Sequence, residues 1–188
     1  MVVHTRGNLA GAEQVVQQIR SLGRRSDMFS ADFSDQATHA PFVEQAWSWG
    51  GHVDIWINNA GADVLTGTAT DWSFEEKLDY LWRVDVQGTM AISRLVGQRM
   101  LQATDTSQDR SILNIGWDQV ESGMGGDSGE MFAATKGAVM AFTRSLAQSL
   151  APRVRVNCLA PGWIRTAWGS EANEYWQQRA CRESLLQR

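Results

Sequence analysis

The chain has 188 residues, 43% hydrophobic and 20% charged, which are the proportions of one ordinary globular domain spanning 1–188. A net charge of −4 gives no reason to expect nucleic acid or an anionic membrane as partner, and no apolar run approaches the length of a membrane span. The start "MVVHTRGN" is too polar and too short for a signal peptide, and Cys158 and Cys181 lack metal-ligand spacing, so a reduced, cytoplasmic protein is expected.

Taken in chain order, "VVH" predicts a strand. Leu9, Ala12, Val15, Val16, Ile19 and Leu22 then recur at helical spacing, and Gly23 suits the helix end. "SDMFSADFSD" holds a short strand, and "PFVEQAWSWGG" reads as a second helix closed by a glycine pair. "VDIWINNAG" is a buried strand running into a turn. In "DWSFEEKLDYLWRV", Ser73 can cap a helix while Glu76 reaches back to it. A long helix through "VQGTMAISRLVGQRML" follows, then the strand "SILNIG", a glycine-rich loop, a helix containing Lys136 and the strand "VRVNCLAPG". The tail "EANEYWQQRACRESLLQR" reads as helical, and most of the nine tryptophans are expected to fill core or interface.

Strands alternating with helices imply an α/β fold, a parallel sheet with helices on both faces. Ligands of such sheets sit beyond the carboxyl ends of the strands. Each strand here ends in a polar or glycine-containing segment: "HTRGN", "ADFSD", "NNAGAD", "NIGWDQ" and "NCLAPGW". These segments are expected to converge on one crevice.

The segments "NNAG" at 58–61, "VDVQG" with a helix start at Asp85, "ILNIG", "FAATK" and "VRVNCLAPGWIRT" together resemble the short-chain dehydrogenase/reductase family, in particular its members like 3-oxoacyl-carrier-protein reductase. The resemblance runs over nearly the whole chain in consistent order. It implies a Rossmann-like three-layer fold and NADP(H)-linked reduction of a carbonyl or oxidation of an alcohol. It also implies roles for particular residues. Arg6 stands where the family reads the adenosine ribose, and its guanidinium suits a 2′-phosphate. Asp32 and Phe33 match positions facing the adenine, Asn58 and Ala60 the turn lining a ribose, and Ile164 and Thr166 the segment holding the nicotinamide amide and phosphates. Lys136 matches the lysine that binds the nicotinamide ribose and lowers the pKa of the catalytic tyrosine.

The catalytic positions depart from that pattern. Phe132 stands at the tyrosine, Trp117 at the serine and Asp85 at the asparagine; of the family's catalytic set, Lys136 alone is kept. The chain also begins after the family's first strand and glycine-rich phosphate loop, and stops before its last strand. The expectation is therefore a weak or disabled reductase centre taking NADP(H), or no dinucleotide at all. It has an unknown small-molecule substrate and a gap in the sheet that is re-paired, filled by a second copy, or completed by a longer chain. A homo-oligomer, most simply a dimer, is expected, from that gap and from apolar residues of the two long helices: Met90, Ile92, Leu95 and Val96, with Val139, Phe142 and Leu146.

Other features have plainer readings beside sharper ones. "GDSG" at 126–129 is better read as a helix cap by Asp127 with Glu130 than as a nucleophile loop around Ser128. His4, His39 and His52 are scattered, with His39 expected in solvent and no metal site. Asp118, Glu121, Asp127 and Glu130 border the crevice. They are more simply solvated, though a glycoside or ester hydrolase using them, with Lys136 or Ser128 assisting, is the alternative enzyme reading. A binding or assembly module on the same fold, without chemistry, is the alternative outside catalysis.

Overall fold

The computed structural model describes residues 1–104, 109–164 and 174–184. β1 (Val2–Thr5), α1 (Leu9–Ser21) and β2 (Asp27–Ser30) open the chain, followed by α2 (His39–Gly50) and β3 (Ile55–Asn58). α3 (Phe74–Leu81) runs through a π-helical segment, Trp82–Gly88, into α4 (Thr89–Gln102). β4 (Arg110–Ile115), α5 (Asp127–Leu150), β5 (Val154–Leu159) and α6 (Glu174–Glu183) complete it.

Local chemistry accounts for several boundaries. Asn8 caps α1 by accepting the Gly11 N–H at 3.0 Å, and Gly23 leaves the helix with φ +72°. The capping box at α3 forms as its spacing predicts: the Glu76 N–H donates to Ser73 Oγ at 3.2 Å, and the Ser73 N–H to Glu76 Oε2 at 2.8 Å. The expected cap by Asp127 does not form. Gly126, at φ +94°, takes the cap position, so Asp127 becomes the first helical residue. Asp127 and Glu130 instead place carboxylates in the first turn, at the positive end of the helix dipole. Asp85 is likewise not a helix start: it lies within one run of helix from 74 to 102, where the backbone loosens to π geometry.

All strand pairs are parallel, in an α/β, Rossmann-like arrangement. They form two sheets, β1–β2 and β3–β4–β5, that share no ladder among the described residues. Of the expected ways to treat the sheet gap, re-pairing within the chain is not seen among the described residues. Aromatic contacts span it instead. His4 on β1 stacks on Phe33 at 4.0 Å and meets the edge of Phe42 on α2 at 5.0 Å, and Phe42 meets Trp56 on β3 at 6.0 Å.

The main core lies where α2, α4 and α5 face β4 and β5, through Val43, Trp47, Ile92, Val96, Ile112, Leu146 and Val156. Ile92, Val96, Val139 and Leu146 are thus consumed by the chain's own core rather than left for a partner. The opposite face of β3 is open, with Ile55 65% and Ile57 56% exposed. The stripe on α1 is also half used, because Ala12 and Val16 are buried while Leu9, Val15 and Leu22 stand in solvent. His39 is buried at 3% exposure, contrary to its expected solvation. The turn Gln36–Thr38 brings it inward, where its Nε2 lies 3.0 Å from the Phe33 carbonyl. Among the described residues, no helix is long and apolar enough to cross a membrane and no cluster has metal-ligating composition.

Candidate functional site

The π segment Trp82–Gly88 is where the carboxyl ends of both sheets meet. From β2, Phe33 packs so close to Gly88 that a Cβ there would lie 3.2 Å from the Phe33 carbonyl oxygen. Gln36 Nε2 donates to Gln87 Oε1 at 3.4 Å. From β3, the turn at 59–62 reaches the same segment, as the Ala62 N–H donates to Asp85 Oδ1 at 2.7 Å. Of the five segments expected to converge on one crevice, those after β2 and β3 thus meet at one helix.

Asp85 and Lys136 form the floor of that crevice. Lys136 Nζ, from α5, lies 2.8 Å from Asp85 Oδ2. The carboxylate side chain is 1% exposed and the lysine 16%, so the anion is sealed and the cation keeps an opening to solvent. Asp85 is thus a counter-ion held by an ammonium and a backbone N–H, which satisfies a buried charge that would otherwise be costly.

One helical turn before Lys136 on α5, Phe132 meets Trp117 edge to face, with ring centroids 6.3 Å apart. Phe132 also packs against the cluster of Val64, Ala69, Leu81 and Met131. The structure therefore brings together Lys136, Asp85, Phe132 and Trp117 around the loop and helix start expected from the sequence. Neither ring carries a hydroxyl, so this part of the crevice presents apolar surface where an O–H donor would stand.

The remaining positions divide. Arg6 is exposed, with its guanidinium 5.8 Å over the Tyr80 ring. Asp32 lies nearby: burial pushes its carboxyl up, but hydrogen bonds from Ser34 and the charges of Arg6 and Arg83 together hold it below its ordinary value. Phe33 is occupied by stacking on His4. Ala60 lies in the turn that delivers Ala62 to Asp85. Ile164 is 63% exposed, and Thr166 lies outside the described residues. Asn58 is buried, and its side chain turns inward instead of towards a ligand, donating to Ser93 Oγ and Asn114 Oδ1, each at 2.8 Å. Asp118, Glu121, Asp127 and Glu130 are all exposed, which leaves the hydrolase alternative without a desolvated carboxylate pair.

The profile of short chain dehydrogenases matches residues 1–176. The chain belongs to the short-chain dehydrogenase/reductase family. It is 31% identical over 160 residues to 2-dehydro-3-deoxy-D-gluconate 5-dehydrogenase of Dickeya dadantii strain 3937, covering 85% of this chain and 60% of that protein. Among solved structures, it resembles 3-oxoacyl-[acyl-carrier protein] reductase from Brucella melitensis in complex with NAD. The TM-score is 0.80 and the identity 26%, over 94% of this chain and 68% of that one. A short chain dehydrogenase from Burkholderia cenocepacia J2315 in complex with NADP gives 0.78 and 25%, over 96% and 71%. The chain spans about 60% of the length of the curated relatives it matches.

Within this short-chain dehydrogenase/reductase, two features escaped the sequence reading. One is the buried amide network behind the crevice. Trp56 Nε1 donates to Asn58 Oδ1 at 2.8 Å, and Asn114, fully buried, passes a hydrogen bond to Thr143 Oγ1 at 2.9 Å. It ties β3 and β4 to α4 and α5. The signal was available as polar residues inside the runs "WINN" and "LNIG", which the apolar pattern would have excluded. The other is Glu183, whose carboxylate accepts from Trp163 Nε1 at 3.1 Å, Gln119 Nε2 at 3.3 Å and Arg179 Nε at 2.7 Å. It holds α6 against the loop after β4 and the exit of β5. No local pattern announces a contact between segments so far apart.

Proposed function

We propose that this chain carries the dinucleotide crevice of an oxidoreductase of the family, takes NADP(H) in preference to NAD(H), and has weak or lost carbonyl-reductase chemistry. The single observation behind the loss is the Phe132–Trp117 pair at the positions of the family's two hydroxyls, beside a Lys136 already committed to Asp85. Positioned acid–base catalysis contributes roughly 10² to 10⁴ in rate, so its absence is a large penalty.

The residues fit such a cofactor at one end better than at the other. Arg6 lays its guanidinium over the Tyr80 ring, which leaves planar N–H donors for a 2′-phosphate, with Asp32 beside it as a competing acceptor. Lys136 retains N–H groups towards solvent that can donate to ribose hydroxyls. When bound, the nicotinamide would supply or accept hydride. The crevice offers no side-chain O–H at 117 or 132 to move the accompanying proton.

Tryptophan fluorescence titrations with NADPH and NADH test the binding half, with NADPH expected about tenfold tighter. Ketone reduction tests the chemical half: turnover near the detection limit is expected. Phe132→Tyr with Trp117→Ser is expected to restore little until Asp85→Asn frees Lys136. Robust turnover by the unaltered chain, or tighter binding of NADH, would overturn the respective half.

A further inference from the structure

At the end of the molecule opposite the crevice, the turn between α1 and β2 faces the last turn of α2. A recess of about 530 Å³ lies there, lined by Arg20, Gly23, Arg24, Arg25, Ser26 and Trp49. Three guanidinium groups border one opening in a chain whose net charge is −4. Among the described residues none of the three forms an ion pair with a carboxylate.

Two of the three, Arg20 and Arg25, are held in place. Arg20 donates through Nε and Nη2 to the Ser26 carbonyl at 3.2 and 2.9 Å, which fixes the turn and leaves its remaining N–H donors unspent. Arg25 lies over the Trp49 ring, 5.4 Å from its centroid. Ser26 is 6% exposed and its Oγ finds no hydrogen-bond partner, although buried hydroxyls are ordinarily paired. Guanidinium groups without a carboxylate partner, grouped at a fixed turn, are the donor set of an oxyanion site.

We infer that the Arg20–Ser26 turn and Trp49 form a binding site for a phosphate-class anion, separate from the dinucleotide crevice. The oxyanion accepts from Arg24 and Arg25, with Arg20 at the rim. The Trp49 ring beside Arg25 offers a surface for an organic group carried by an esterified phosphate.

Calorimetric titration at fixed ionic strength decides this, with inorganic phosphate and phenyl phosphate as probes. Saturable binding of at least one probe is expected for the unaltered chain. It should weaken tenfold or more in the Arg24→Ala/Arg25→Ala double variant. Arg6→Ala, which alters the crevice, should leave it unchanged. Tighter binding of phenyl phosphate assigns the site to a phosphate ester and tighter inorganic phosphate to the free ion. No saturable heat at millimolar probe, an unaltered affinity in the double variant, or a loss in Arg6→Ala equal to that in the double variant would overturn the inference. The arginines are on the surface turn, so circular dichroism of the variants should match the parent.

Discussion

Replacing Lys136 by Met tests the reading of the crevice floor. The substitution roughly preserves the length of the side chain but removes the ammonium 2.8 Å from Asp85 Oδ2. The carboxylate is then left at 1% exposure with the Ala62 N–H as its remaining described donor. Breaking a buried pair from one side costs about 3–5 kcal/mol, because an uncompensated charge stays behind. The mirror change, Asp85→Asn, is expected to cost less, about 1–2 kcal/mol. An amide oxygen still accepts the Ala62 N–H, and the lysine, 16% exposed, can reach water. The double variant should therefore be more stable than Lys136→Met alone, since it removes the stranded charge. Urea denaturation with linear extrapolation measures all three, at constant slope. Equal losses for the two single variants, or a double variant whose loss is their sum, would show that the pair is not the sealed anion and open cation described here.

Burial depresses the pKa of His4 below its ordinary 6.5, outweighing the Ala31 carbonyl and the Asp32 charge. The unfolded chain then binds the proton more readily, so stability is complete above about pH 6.5 and falls as the pH drops through the folded value. Urea midpoints between pH 8 and 5 should show this fall, and His4→Gln should flatten it. Asn114→Leu is expected to cost about 1–3 kcal/mol by orphaning amide partners behind the crevice, whereas Asn157→Ala, on the exposed side of β5, should change stability by less than about 0.5 kcal/mol. We expect a dimer by light scattering at micromolar concentration, since β1 and β3 keep edges unpaired among the described residues and Ile55 and Ile57 stand exposed; a monodisperse, stably folded monomer would refute it.

The features legible in the sequence are those whose cause lies within a few residues. Ser73 and Glu76 close their box because both partners sit in one turn, and Phe132 stands a turn from Lys136 because helical spacing puts it there. The parallel α/β order follows from alternating periodicities in the same local way. Tertiary structure decided everything that depends on which distant surface a side chain meets. Asp85 became the counter-ion of Lys136 because the π segment, the turn after β3 and α5 close on one point. Asn58 turned inward because Ser93 and Asn114 offered buried partners, and His39 did so because the Phe33 carbonyl offered its Nε2 a partner at 3.0 Å. Even the Asp127 cap was lost to a neighbour, as Gly126 could take a positive φ of 94° and become the cap residue in its place. Periodicity tells which way a side chain faces along its own element; the partner waiting there is set by the packing of elements far apart in the chain.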